Sequence, residues 1–416
     1  MDFSSVYSEE QERFREEVRY WLEENIPAHM GEPVDSREFT KEQYLFWREK
    51  QKELATKGWL YPTYPKEYGG GGLTGDHETI LQEEFELARA FRDRDRSTER
   101  LILSTLLVWG TEEQKRKFLV PILKGEKTSW QKFTESKGGA DLADYHSSAV
   151  RNGDGWLLSG SNVFVSGRPR PDWECGPDYL WGPMVTDVDA PRHRNLGFFI
   201  IPVPSDGLEI REQPLLDGHE QHAIFLDNVR IPSDHLIGGD KQGWQVAGTT
   251  LEQEHGGRGE AFGGDPVVDS LVRHLLDFGP TRMVYGRGSM VEQLVMGSVI
   301  DGHRNSLLAK RTYWMYQQRM DINYQGNVAD VHQRESTLRI SDTARAVLGM
   351  FSLLGTGESM APDRGINEPN QRIRAGQNHE GGSTNIAKVV LSRRIGISRT
   401  KERAAPTPST ATRHIG

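Results

Sequence analysis

The spacing of apolar residues changes twice along the chain, and this change constrains the fold more than any other feature. Up to residue 125 apolar side chains recur every three or four positions, which is typical of amphipathic helices, and the same spacing returns after residue 244. Between 128 and about 235 apolar and polar residues alternate or form short apolar runs, which predicts strands. We therefore expect an α+β protein in which a β domain lies between two helical regions.

Length and composition suggest how this fold is divided. A chain of 416 residues is too long for one hydrophobic core, so several domains are expected. The predicted boundaries are 1–125 for an N-terminal helical domain, 126–238 for the β domain, 239–400 for the C-terminal helices and 401–416 for a disordered tail. The last thirty residues are basic, which allows contact with phosphates but favours a solvated tail.

Local signals place several element ends. Ser8-Glu9-Glu10-Gln11 predicts a helix start, and Thr111 predicts another as an N-cap whose capping-box partner is Gln114. Asn152-Gly153-Asp154-Gly155 lies between two alternating runs, which predicts a β-hairpin. The segment 168–183 is rich in Pro, Gly and Trp, so we interpret it as a surface insertion rather than a strand. The glycines at 69–72 suggest a phosphate loop, but no Lys-Ser/Thr follows, which favours a plain loop.

Charge and hydropathy narrow the class of protein. The net charge of −9 and the pI near 5.9 argue against general affinity for nucleic acid or anionic membranes. No run approaches the roughly 18 apolar residues of a spanning helix, and the N-terminus lacks the features of a signal peptide. We therefore expect a cytoplasmic protein without membrane insertion. Cys175 is the one cysteine, which excludes an internal disulfide and a multi-cysteine metal site, and no metal site is predicted.

The stretch from Thr128 to Gly167 is the first candidate for a binding surface. It opens with a polar turn, Thr134 to Asp141, whose small residues suit a backbone that lies close to a flat ligand. The hairpin follows directly, so the turn is expected at the edge of the β domain. The alternative is an ordinary β-turn that binds nothing.

Five sequence motifs, in this order and at these spacings, carry a resemblance to a known family. They are Gly110 to Leu119; Phe133-Thr134-Glu135 with Gly139 and Asp141; Asp227 to Pro232; Gly243-Trp244 leading to Thr250 to Glu254; and Gly381-Gly382-Ser383-Thr384-Asn385-Ile386. Together they resemble the acyl-CoA dehydrogenase family of flavoproteins over about residues 1 to 400. The resemblance implies a central antiparallel β-barrel or sandwich and a C-terminal four-helix bundle.

The resemblance also implies an activity and a cofactor. The expected enzyme is an acyl-CoA dehydrogenase, which removes the α-proton of an acyl-CoA thioester to a carboxylate, passes the β-hydride to N5 of FAD and releases the trans-2-enoyl-CoA. By position, three groups of residues would bind FAD. They are Gln131, Phe133 and Thr134 with Gly139 and Ala140 of the same turn; Phe164, Val165 and Ser166 on the other side of the ring; and Ser383, Thr384 and Asn385 along the ribityl and diphosphate part.

The same resemblance offers two places for the catalytic carboxylate. Matching Gly382 to Ile386 with the family signature puts Gly381 at the first place, and matching Leu251 to His255 with the family helix puts Glu254 at the second. Glu254 is therefore the predicted base. Glu380 stays an alternative, because one inserted residue would restore a Glu-Gly pair at the first place. Gly381 would offer its backbone N–H to the thioester oxygen, which gains negative charge as the α-proton leaves.

Several departures from the family pattern leave other functions open. In the polar turn, Ser136 and Lys137 stand where the family usually has Pro-Gly, and Ala140 replaces a serine. His255 replaces an arginine, for which Arg258 could partly substitute. Arg282 to Gly286 is the nearest match to the family segment that binds the FAD diphosphate of a neighbouring subunit. The alternatives are a flavin oxidase or monooxygenase of the same fold and a non-catalytic member with a weakened FAD site. The resemblance implies electron-transfer flavoprotein as electron acceptor and assembly as a homodimer, homotetramer or hetero-oligomer.

Overall fold

The structure is a computed structural model that describes residues 7–92, 98–167, 176–218, 220–255, 264–278, 289–376 and 381–398, with the side chains at 220, 252–255 and 278 outside the description. Several predictions concern residues outside these ranges. They are Cys175, Arg258, Arg282 to Gly286, the candidate base Glu380, a helical extension over 256–263 and the tail 401–416. The predicted order of helices, strands and helices is confirmed across the described residues.

The N-terminal region is helical, as predicted. Its elements are α1 (Glu9–Asn25), α2 (Lys41–Thr56), α3 (Gly75–Leu87), α4 (Glu99–Trp109), α5 (Glu112–Gln114), a π-helical turn (Lys115–Leu119) and α6 (Val120–Leu123). Both predicted N-caps are confirmed: the Ser8 hydroxyl accepts from the Gln11 N–H at 3.2 Å, and Thr111 forms the same capping box with Gln114. Capping satisfies backbone donors that the first helical turn leaves unpaired.

The glycines at 69–72 form a packed loop. The N–H groups of Gly70, Gly71 and Gly72 donate to backbone carbonyls of residues 61–65 at 2.8–3.1 Å. A Cβ at Gly71 would lie 2.2 Å from the Gly58 carbonyl oxygen, so only glycine lets the two loops cross here. Because these N–H groups are already used, the plain-loop interpretation fits and a phosphate loop does not.

The middle region is one eight-stranded sheet. Its strands are β1 (Ser129–Gln131), β2 (Ser148–Asn152), β3 (Gly155–Ser166), β4 (Tyr179–Val185), β5 (Leu196–Pro202), β6 (Leu208–Pro214), β7 (Glu220–Pro232) and β8 (Leu236–Ile237). The order is β6-β7-β3-β2-β4-β5-β8, with β1 paired to β4. Most pairs are antiparallel, as expected, but β4 is parallel to both β1 and β2. The predicted hairpin is confirmed, since Asn152 pairs with Gly155 around a two-residue turn.

The strand β4 corrects the prediction of a surface insertion for residues 179–183, while residues 168–175 of that prediction lie outside the described ranges. Residues 180–185 are buried, and β4 pairs with β5 along its whole length. Pro183 is tolerated because it falls between the end of the β1 pairing at Trp181 and the β2 pairing at Val185. Gly182 is required by contact, since a Cβ there would lie 2.3 Å from the Lys132 carbonyl oxygen. Burial of Leu180, Trp181 and Met184 outweighs these two breakers.

The C-terminal region is again helical. Its elements are α7 (Gly243–His255), α8 (Pro266–Phe278), α9 (Met290–Gln317), α10 (Gln325–Leu348), α11 (Asn367–Gly376) and α12 (Thr384–Arg394), with 3₁₀ turns at Gly349–Leu353 and Pro362–Gly365. α8, α9 and α10 share a core that includes Leu271, Val295 and Ile340. No helix in the described ranges is long and apolar enough to cross a membrane.

A second, larger core fixes the position of the candidate site. It joins the N-terminal helices to one face of the sheet through Phe133, Trp181 and Phe198, and it includes Val246 of α7. The sheet, α4 and α7 are therefore packed as one unit. The end of β1, which begins the predicted binding turn, lies inside this unit.

Candidate functional site

The segment that follows β1 is built into the sheet. The Lys132 N–H donates to the Trp181 carbonyl at 2.9 Å, which continues the β1–β4 pairing. The Phe133 ring is buried edge-on against Trp181, at 5.7 Å between ring centroids, and against Phe198, at 6.3 Å. Edge-to-face aromatic packing of this kind holds a ring in one orientation. The half-buried Gln131 and Thr134 are thus fixed on either side of Phe133.

Hydrogen bonds from β3 and from the loop before β2 hold the turn itself. The Thr134 carbonyl accepts from the Val163 N–H at 2.9 Å and from the Asn162 side chain at 3.3 Å. The buried Glu135 carboxylate accepts from the N–H groups of His146 and Ser147 at 2.8 and 2.7 Å. Sequence reasoning gave no role to Glu135 or Asn162 in supporting the turn, because their partners lie in other segments.

Gly139 closes this turn against Thr134. A Cβ at Gly139 would lie 2.8 Å from the Thr134 methyl carbon and 3.1 Å from its hydroxyl oxygen, whereas a Cβ at Gly138 would meet nothing within 4 Å. A larger residue at 139 would therefore displace the Thr134 side chain, and glycine avoids this contact. Ala140, the next residue, is exposed and has no hydroxyl to offer.

The neighbouring strand β3 presents an aromatic ring and a hydroxyl. Its register against β7 shifts between Asn162 and Val165, and Phe164 takes a left-handed conformation with φ of 57°. The Phe164 ring is 58% exposed, an unusual position for a large apolar side chain. The exposed Ser166 hydroxyl accepts from the Gln221 side chain at 3.2 Å. Val165 faces the other way into the sheet core and is 1% exposed, so its side chain lies away from this surface.

We call the surface formed by Gln131, Phe133, Thr134, Phe164 and Ser166 the wall. The hydrogen bond from Val163 to Thr134 joins its two strands. Two short hydroxyls, at Thr134 and Ser166, suit the polar edge of a flat heteroaromatic ring, and the exposed Phe164 suits its face. Because Gly139 has no side chain, the space beside Thr134 stays open for such a ring. The donor set on the wall is therefore compatible with a flavin.

Lys132 is a feature of this region that sequence reasoning missed. Its side chain is 0% exposed, and its ammonium has no hydrogen-bond partner among the described residues. Burial lowers the pKa of this ammonium to about 8, and the Glu135 charge opposes the shift. Burial also raises the pKa of the Tyr145 hydroxyl, which Glu135 raises further. The sequence offered one signal for this burial. Side chains two positions apart in a strand share a face, and Trp130 is a core residue, so Lys132 is expected on the inner face as well.

The position of the predicted base lies on α7, which packs against α4. The hydroxyls of Thr105 and Thr250 hydrogen bond at 2.9 Å, and the Trp109 ring N–H donates to the Thr249 hydroxyl at 2.9 Å. Glu254 lies one turn after Thr250 in α7, and its side chain is outside the description. The backbone of α7 is thus fixed against the same unit that carries the wall.

The glycine-rich turn before α12 forms the other part of the predicted site. Gly381 and Gly382 both have positive φ, 56° and 90°, and Ser383 caps α12 by accepting from the Ile386 N–H at 3.3 Å. The Arg334 guanidinium donates to the Gly382 carbonyl at 2.9 Å. Thr384 is half-buried and Asn385 is exposed.

The structure brings the two strands of the wall together but gives the α12 turn separate contacts. The hydrogen bonds of the turn go to α10 and to its own helix, and α12 contains no buried residue. Among the described residues, no group of three or more His, Cys, Asp or Glu side chains is arranged to hold a metal ion. The chemistry that the described site offers is thus that of hydroxyls, amides and carboxylates.

Comparison with known sequences points to one family. The family described as "Acyl-CoA dehydrogenase, N-terminal domain" matches residues 8–126. Acyl-CoA dehydrogenase IpdE1 of Mycobacterium tuberculosis is 30% identical over 253 residues, which are 59% of this chain and 63% of that protein. Acyl-CoA dehydrogenase FadE34 of the same organism is 33% identical over 208 residues, 49% of this chain and 28% of that protein. The chain thus matches less than two thirds of the length of either relative.

Comparison with solved structures covers almost the whole chain. The structure of the Tcur3481-Tcur3483 steroid ACAD gives a TM-score of 0.79 at 24% identity and covers 97% of this chain and 100% of that chain. The ChsE4-ChsE5 complex from Mycobacterium tuberculosis gives 0.74 at 22% identity, with 96% and 100% covered. These matches confirm the predicted fold class.

Proposed function

We propose that the chain, which is similar to acyl-CoA dehydrogenases in its N-terminal region and in its fold, oxidises an acyl-CoA thioester to the trans-2-enoyl-CoA in an FAD-dependent reaction. The observation that carries this proposal is the wall, where a hydroxyl on the turn after β1 lies beside a hydroxyl and an exposed aromatic ring on β3, and a backbone hydrogen bond joins the two segments. FAD is the cofactor, and when bound it would accept the hydride that leaves the β-carbon as the α-proton is removed. The remaining tasks fall to side chains and backbone groups of this chain.

The wall would orient the cofactor. Thr134 and Ser166 would hydrogen bond the polar edge of the ring, and Phe164 would cover its face and exclude water. Gln131 and the backbone of Phe133 and Val165 would border it. Gly139 and Ala140 would lie at the end of the turn, next to the flavin ring. Ser383, Thr384 and Asn385 would contact the ribityl and diphosphate part of FAD.

Glu254 would remove the α-proton. Deprotonation next to a thioester needs a positioned carboxylate because the α-carbon is a very weak acid. Position 254 lies one turn after Thr250, whose hydroxyl bonds the Thr105 hydroxyl of α4, and residues four apart in a helix share a face, which supports a position for Glu254 next to the unit that carries the wall. Glu380 is the second candidate for the base.

The thioester oxygen needs a hydrogen-bond donor as its charge grows. The backbone N–H of Gly381 is our candidate, because Gly381 and Gly382 adopt a turn with two positive φ angles that exposes backbone groups. The short Gly residues let a ligand approach the backbone closely.

We further propose that the protein works in an assembly and passes its electrons to an electron-transfer flavoprotein. Apolar side chains that this chain leaves uncovered support the assembly. They lie on α9 and α12 and include Met290, Ile300, Ile386 and Val389, which are 77%, 49%, 37% and 41% exposed. A homodimer, a homotetramer or a hetero-oligomer would cover them.

The visible spectrum under anaerobic conditions tests the proposed function. The protein reconstituted with FAD should be yellow, and a panel of acyl-CoA thioesters of different lengths should include one that bleaches it. Slow return of the colour in air supports a dehydrogenase, whereas fast return supports a flavin oxidase or monooxygenase. A protein that remains colourless after incubation with FAD would be a non-catalytic member of the family.

A further inference from the structure

Lys132 occupies a tightly packed position between two residues of the wall. Its backbone continues the pairing with β4, and a Cβ at Gly182 would lie 3.3 Å from the Lys132 Cγ. Gly182 thus makes room for the lysine stem. Neighbours in an extended segment point to opposite faces, so Lys132 extends behind the surface to which Gln131 and Phe133 belong. Trp130, on the same face as Lys132, is part of the sheet core.

The ammonium of Lys132 is a buried charge without close compensation. No described residue hydrogen bonds its Nζ atom. Glu135 attracts it electrostatically, but the Glu135 carboxylate is already bound by the N–H groups of His146 and Ser147. An ammonium in such surroundings is costly for folding, and it retains a long-range field because little water screens it. Burial lowers its pKa to about 8, so it is still mostly charged at neutral pH.

This charge lies behind the surface to which the cofactor is proposed to bind. Uptake of two electrons and one proton adds one negative charge to a flavin, and a fixed cation nearby stabilises that charge. In turnover the two electrons come from the Cβ–H bond of the acyl thioester, while the Cα–H electron pair forms the new double bond. In a titration they come from an added reductant, and the lysine itself is not consumed.

We propose that the Lys132 ammonium raises the reduction potential of the bound FAD and so favours its reduction by the acyl thioester. The inference rests on the proposed function for the place of the flavin. Lys132 touches neither substrate nor the reacting atoms, so it acts as a tuning residue through its field. A lysine that served only packing would leave the potential unchanged when it is replaced.

The test is the midpoint potential of FAD in the reconstituted holoprotein, measured by slow reduction with xanthine oxidase and a reference dye. Lys132→Met should shift the potential to a more negative value, and Lys132→Arg, which keeps the charge, should restore most of it. Lys124→Met is the matched control, because Lys124 is an exposed lysine that precedes β1 and lies outside the turn from Thr134 to Asp141. Its potential should equal that of the wild type.

A second uncharged variant keeps the test possible if the first one does not fold. If Lys132→Met does not fold, Lys132→Gln keeps a similar length and polarity without the charge. A wild-type potential in either neutral variant overturns the inference. The reductant is independent of acyl-CoA, so a protein that binds FAD but is not reduced by any thioester contradicts the proposed function while the potentials still decide the role of Lys132. A protein that takes up no FAD contradicts both.

Discussion

The wall and the α12 turn are two parts of one proposed site, but the protein holds them in different ways. Phe133 and Val165 are 7% and 1% exposed, and a backbone hydrogen bond joins the two strands. The α12 turn is held by the Ser383 cap and by Arg334, and its helix has no buried residue. The wall is therefore preorganised by this chain alone. The turn before α12 has few contacts within this chain, and we expect a neighbouring subunit to supply further contacts to it.

This difference predicts that changes near the wall affect the cofactor, whereas changes in the C-terminal part affect the chemistry. The largest expected effect is that of Glu254→Gln. Loss of a general base slows a reaction by about 10²–10⁴-fold, so reduction by the best acyl-CoA should slow by about 10³-fold while FAD stays bound. Stopped-flow absorbance under anaerobic conditions measures it. Glu252→Gln, on the same helix, is the control and should keep the wild-type rate.

The second prediction concerns the stability of the wall. The pKa of Lys132 falls from 10.5 to about 8 on folding, so the charged lysine destabilises the folded state at pH 7 by about 3 kcal/mol. The unfolded chain binds more protons between pH 8 and 10.5, and stability should therefore rise across that window in the wild type. Lys132→Met should be more stable at pH 7 and should lack this rise.

Denaturant unfolding at several pH values checks this prediction, with Lys124→Met as the control. A Lys132→Met protein that is less stable than the wild type at pH 7 would contradict it. Higher stability combined with a lower flavin potential would show that the lysine serves the cofactor at the expense of the fold.

The third prediction separates two adjacent glycines. An alanine Cβ at 139 would press on the Thr134 side chain, whereas one at 138 would meet nothing within 4 Å. Displacing Thr134 removes one hydrogen bond to the ring, so Gly139→Ala should weaken FAD binding by about five- to tenfold. Gly138→Ala should have the wild-type affinity. Flavin fluorescence titration of the apoprotein compares them, and equal affinities would place the ring away from Thr134.

The smallest effect is expected at the α12 turn. Arg334→Met removes the donor to the Gly382 carbonyl and the ion pair to Asp330 one turn earlier in α10. The unfolding free energy should change by only about 1 kcal/mol, because an ion pair between residues four apart in a helix contributes about 0.3–0.5 kcal/mol and the Gly382 carbonyl can still bond water. Amide hydrogen exchange at 381–386 should nevertheless become faster. Arg339→Met, which loses an ion pair to Asp301 on the same helix, should leave that exchange unchanged. Unaltered exchange in Arg334→Met would mean that the turn is held by other contacts.

The sequence predicted the features that depend on neighbouring residues. The Ser8 and Thr111 caps, the hairpin at 152–155 and the change from helical to alternating spacing are all local, and all are confirmed. The five motifs in order also indicated the acyl-CoA dehydrogenase family, whose N-terminal domain matches residues 8–126, and the solved structures confirm the fold class.

Features that depend on distant contacts escaped prediction. The strand β4 contains Gly182 and Pro183, and only its pairing with β5 and the burial of Trp181 in the larger core make it a strand. Lys132 stands in a polar stretch, and its burial follows from the packing of Gly182 and Trp130. The Val165 side chain lies in the sheet core, so only its backbone can take the place beside the flavin that the resemblance gives to Phe164, Val165 and Ser166. The assignment of Glu254 as the base stays a prediction.

The most direct test of the account is an experimental structure of the FAD-reconstituted protein with a bound, unreactive acyl-CoA analogue. The measured quantity is the distance from the acyl α-carbon to the carboxylates of Glu254 and Glu380. We expect the ring between Thr134 and Ser166, and the Glu254 carboxylate about 3–3.5 Å from the α-carbon, as a reacting pair requires. A ring bound away from the wall, or a Glu380 carboxylate closer to the α-carbon than that of Glu254, would contradict the account.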